Sequence, residues 1–74
     1  MMISPQAFRE MHENSSMKQL FKVRREIMEE LMDYENDPDR PDMIMPGRKV
    51  IYQMNNLYLI EICRLIEEKL EEED

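Results

Sequence analysis

The chain has 74 residues, 42% of them hydrophobic and 36% charged, a balance that suits one small amphipathic helical domain and not a disordered tail. Its net charge of −7 argues against binding nucleic acid through phosphates or docking on an anionic membrane surface, since both draw on Lys and Arg. One Gly, no Trp and five aromatic residues argue against a barrel or sandwich, which needs a turn about every ten residues.

Ser4-Pro5 reads as an N-cap followed by Pro at the first helical position, and it predicts a short helix over 4–14 with Phe8 and Met11 on one side. Asn14-Ser15-Ser16 interrupts it. Ser16 and Gln19 have the spacing of a capping box, which opens a long helix over 16–36. Met17, Leu20, Phe21, Ile27, Met28, Leu31 and Met32 recur at three- and four-residue intervals and make one apolar face. Asp37-Pro38 and Arg40-Pro41 disfavour helix and end it.

Residues 37–46 form a proline-rich acidic loop. Met43, Ile44 and Met45 are apolar, so the loop is expected to pack down on the helices. A second long helix follows over 47–72. Its strongest face carries Ile51, Met54, Tyr58, Ile62, Leu65 and Ile66. Tyr52, Leu59, Cys63 and Leu70 widen that face on one flank, Val50 and Leu57 on the other, and Ile60 lies nearly opposite. So wide an arc is more than one partner helix covers.

The longest apolar stretch, residues 50–66, is broken by Gln53, Asn55, Asn56, Glu61 and Arg64, short of the ~18 uninterrupted residues of a membrane helix. The start, Met1-Met2-Ile3-Ser4-Pro5, lacks the basic and apolar regions of a signal peptide. Cys63 is the only cysteine and closes no intramolecular disulfide, so a reducing cytoplasm is the expected location. A core this small supplies about 3–5 kcal/mol. With no disulfide or metal cage to add to it, oligomerisation is the expected staple.

The charges fall in blocks. Residues 1–25 hold five basic and two acidic side chains, and residues 26–47 hold one basic and eight acidic. Residues 48–66 hold three basic and one acidic, and residues 67–74 hold one basic and six acidic. Each long helix taken singly opposes its own macrodipole, at about 0.3–1 kcal/mol per group. An antiparallel hairpin lays the basic block of one helix beside the acidic block of the other and explains the arrangement. Its expected register places Arg24 level with about residue 59, within one turn of Glu61. Arg24 interrupts the apolar face of its helix, so an Arg24–Glu61 pair is expected, across the hairpin or across a dimer interface.

Residues able to carry chemistry are few. His12 and Cys63 are the one imidazole and the one thiol, and the hairpin register holds them on the order of 10 Å apart along the axis. Cys63 then reads as a small buried hydrophobe and His12 as a surface residue. Asp37, Asp39 and Asp42 fail as a calcium loop, because Pro41, Asp42 and Arg48 stand at the fifth, sixth and twelfth positions. No zinc spacing and no glycine-rich phosphate loop is present. The basic run Lys18 to Arg25 is the best nucleic-acid candidate, but the acids that follow it repel phosphate. Nine methionines suit either a loosely specified core or an adaptable partner surface.

The sequence thus predicts an all-α chain: a short N-terminal helix, then a long antiparallel hairpin that dimerises into a four-helix bundle. The expected function is non-enzymatic, a small interaction or regulatory protein working by helix–helix contact, with no cofactor and no metal. Its expected partners are a second copy and another protein, with no nucleic acid and no membrane. The expected interface comprises Val50, Met54, Leu57, Tyr58, Ile60, Glu61 and Arg24. Two alternatives are an acidic mimic that inhibits a nucleic-acid-processing protein, and a small enzyme with its site between protomers.

Overall fold

The computed structural model of the chain describes residues 2–43 and 45–72 and contains three helices: α1 (Pro5–His12), α2 (Met17–Asn36) and α3 (Arg48–Glu72). Among the described residues there is no strand. The fold is all-helical, as its hydrophobic periodicity implies.

Local chemistry sets the helix ends. The Ser4 hydroxyl accepts from the Ala7 amide, and Pro5 follows at the first helical position. At α2 the capping box is complete: Ser16 Oγ accepts from the Gln19 amide at 3.2 Å, and Gln19 Oε1 accepts from the Ser16 amide at 3.2 Å. Asp37 leaves helical geometry ahead of Pro38 and ends α2. The start of α3 is capped from a distance, because the Asp42 carboxylate accepts from the Arg48 amide. Gly47 permits this approach: a Cβ there would lie 2.7 Å from Asp42 Oδ2.

α2 and α3 run antiparallel. Glu30 accepts from the Asn55 amide group at 2.7 Å, and Glu35 accepts from the Tyr52 hydroxyl at 2.9 Å. These contacts set a register two to four residues beyond the expected one, which would have set Glu30 level with residue 53 and Glu35 with residue 48. Between the two helices lie Leu20, Ile27 and Leu31 of α2 and Tyr58, Ile62, Leu65 and Ile66 of α3, all buried. Leu20 and Ile62 have no exposed surface.

α1 closes one side of this core and runs parallel to α3. The Tyr58 hydroxyl donates to the Ile3 carbonyl, the Phe8 ring stacks on the Tyr58 ring at 4.4 Å, and further along Arg9 donates to Glu68 at 2.7 and 2.8 Å. The whole is thin, 47 × 23 × 14 Å between Cα extremes. α1 lies over one face of the hairpin, and no described helix lies over the other.

Two expectations about packing are corrected. Met43 and Met45 are 93% and 95% exposed, so the loop does not bury them. Polar bonds hold it instead: the Arg48 guanidinium donates to the carbonyls of Asp37 and Arg40, and Arg40 pairs with Asp33 at 2.8 Å. Ile44 lies outside the described residues. Cys63 is exposed and not a core residue, because the centre of the α3 face runs through Tyr58, Ile62 and Leu65.

Candidate interaction surfaces

The apolar positions of α2 divide into two sets. Leu20, Ile27 and Leu31 point into the core, whereas Phe21, Met28 and Met32 turn outward, 38%, 47% and 59% exposed. The division follows from helix geometry, since residues one position apart are turned by about 100° and cannot share one contact. With Arg24, Arg25 and Glu29, these three outer side chains line a shallow groove of about 490 Å³ on α2. The Arg24 guanidinium lies over the Phe21 ring, 5.2 Å from its centre, a cation–π contact at the groove floor.

A second apolar surface lies on the outer side of α3, where Val50, Leu57 and Ile60 are 46%, 44% and 46% exposed. Met54, beside them, is half-buried against the core. These four are accessible residues of the expected interface. Tyr58 is not, since it is 5% exposed and occupied by Phe8 and the Ile3 carbonyl. Glu61 is engaged too, its carboxylate 3.7 Å from Arg9 and 3.4 Å from Arg64. No Arg24–Glu61 pair forms within the chain. Arg24 sits level with the right part of α3 but turns to the outer groove, while Glu61 turns toward α1, which brings Arg9 to it.

The third surface is an open groove of about 590 Å³ at the hairpin's loop end, lined on one side by Glu26, Glu29, Glu30 and Asp33. Tyr34 and Tyr52 stack across its base at 4.5 Å, and the Arg48 guanidinium lies 5.2 Å from the Tyr34 ring centre. Among the described residues Arg48 Nη2 makes no hydrogen bond, and it stands 3.8 Å from Asp33 Oδ2 as an ion pair. The bond to Glu35 raises the pKa of Tyr52, because ionising the phenol would set two anions face to face. Burial raises that of Tyr58. The Glu68 carboxylate raises that of Arg9.

These surfaces do not assemble reactive groups. His12 packs against Phe8 at 4.6 Å on the α1 side of the molecule. Cys63 projects from α3 about 150° around the helix from Glu61 and Glu68, which face α1. Among the described residues no three His, Cys, Asp or Glu side chains converge as metal ligands, and no helix is long and apolar enough to cross a membrane. The outer set of α2 was hidden in the sequence by its neighbours, since Phe21, Met28 and Met32 each adjoin a core residue and widen the same stripe. The one signal of the division was Arg24, a charge inside that stripe that marks where core ends and outer flank begins. Comparison with protein-family models, curated proteins and solved structures finds no match to this chain.

Proposed function

We propose that the chain is a small non-enzymatic interaction protein that works through helix–helix contacts and does so as a homodimer. The observation that carries this reading is the one-sided cover of the hairpin: α1 closes one face, while Phe21, Met28 and Met32 stay exposed on another. Large apolar side chains grouped on a helix surface are what a partner helix buries. Two Met in that group suit it to contact, because their flexible thioethers adapt to the opposing surface. The separate strip of Val50, Leu57 and Ile60 on α3 leaves room for a second protein once the dimer has formed.

Absolute mass by light scattering on a size-exclusion column, at low and high salt, tests the reading. A dimer at both is expected, because the buried apolar contact persists when charge is screened. A monomer at every concentration overturns the homodimer.

A further inference from the structure

The outer flank of α2 is complementary to itself. Phe21, Met28 and Met32 form its exposed apolar line. Charge along the helix is divided by halves: Lys18, Lys22, Arg24 and Arg25 occupy the first, and Glu26, Glu29, Glu30, Asp33 and Glu35 the second. That order opposes the macrodipole, which favours acids at the N-terminal end and bases at the C-terminal end. The bonds to α3 do not relieve the first half. Lys18, Lys22 and Arg25 are exposed, and no described acid pairs with them.

A second α2, laid antiparallel on the first about a two-fold axis between Glu26 and Ile27, relieves both features at once. Phe21 comes level with the second copy's Met32, and Arg25 with its Met28, so apolar surface and the Arg stem meet apolar surface. Glu29 falls between the second copy's Lys22 and Arg25; the three residues recur at three- and four-residue spacing and so share one side of the helix. Each contact occurs twice, as an isologous interface requires. A parallel pairing would set the basic half against the basic half, which is unfavourable.

We propose that a second copy of this chain covers the outer flank of α2, with the two α2 helices antiparallel about that axis. This rests on the homodimer reading above and adds to it the face, the direction and the register. The contact belongs to α2 and not to the Val50, Leu57 and Ile60 strip, because charges at both ends of α3 are already met within the chain, Arg48 by Asp33 and Glu68 by Arg9.

Two variants and their mixture test it. Glu29→Lys sets a cation against the second copy's Lys22 and Arg25. The double variant Lys22→Glu with Arg25→Glu sets anions against the second copy's Glu29. All three residues are exposed, so the protomer does not need them to fold, and circular dichroism checks that helix content is kept. By sedimentation equilibrium at low salt, each variant alone is expected to dimerise at least about tenfold more weakly than the wild type. An equimolar mixture is expected to return to wild-type affinity as a heterodimer, because every altered charge then meets its opposite. If wild-type chains dimerise and both variants dimerise equally well, the α2 face is wrong while the homodimer stands. Variants that weaken but are not rescued on mixing overturn the antiparallel register. A wild type that is monomeric throughout overturns this assignment together with the homodimer.

Discussion

At the residue scale, the fold depends on a few side chains with no exposed surface. Leu20 and Ile62 belong to the core between α2 and α3, and neither has any exposed surface. Ile62→Ala is therefore expected to lower unfolding free energy by about 2–5 kcal/mol in a denaturant titration, a large share of what so small a core supplies. Two phenols add a pH dependence. Tyr52 and Tyr58 both have folded pKa values above the ordinary value near 10.0, Tyr52 through its bond to Glu35 and Tyr58 through burial. A raised folded pKa stabilises the fold while the unfolded phenol is still protonated, and that stability is lost as pH rises through the folded value. The protein is thus expected to melt at lower temperature above about pH 10 than at pH 8. Tyr52→Phe is expected to reduce that dependence, since it keeps the Tyr34 stack and removes the ionisable group. An unchanged alkaline slope in Tyr52→Phe would assign the effect to Tyr58.

At the element scale, each helix begins where a polar side chain meets free amides. Ser4 and Ser16 do this locally, and both were legible because a cap and its helix are neighbours in sequence. Ser16→Ala removes one half of the capping box and is expected to cost about 1 kcal/mol, read as a lower melting midpoint with the oligomeric state unchanged. The start of α3 was not legible in that way. Its cap is Asp42, six residues upstream of the Arg48 amide, brought there by a loop that turns at Pro38-Asp39 and bends at Met45-Pro46. Read in sequence, Asp42 belonged to an acidic connector. Read in space, it is an anion at a helix N-terminus, where the macrodipole favours it.

At the scale of the whole molecule, α1 covers one face of the α2–α3 hairpin and no described helix covers the other. Such a hairpin gains its missing cover by association, and an association that stabilises the folded chain is linked to protein concentration. The melting midpoint of the wild type is expected to rise as concentration is raised, whereas that of Glu29→Lys is expected to stay nearly constant at low salt. A midpoint independent of concentration in both would mean that folding and association are not coupled. The α1 segment sets which face remains open. By placing Phe8 on Tyr58 and Arg9 between Glu61 and Glu68, it uses residues that the periodicity of α3 had left available.

The sequence alone determined the helical class, the caps of α1 and α2, the proline-rich break and the antiparallel direction of the hairpin. Each of these rests on residues a few positions apart or on the balance of charge along a helix, and both are local quantities. Only the tertiary structure decided which apolar residues are core and which are surface. Phe21 and Leu20 are adjacent in sequence and equal in hydrophobicity, yet one is outward and the other has no exposed surface. The difference lies in where α3 sits around α2, to within a fraction of a helical turn. The partners of Glu61 and Tyr58 were decided in the same way. They come from α1 and the residues just before it, and a short segment's docking site depends on shape and contact across more than fifty residues of chain, which no local pattern encodes.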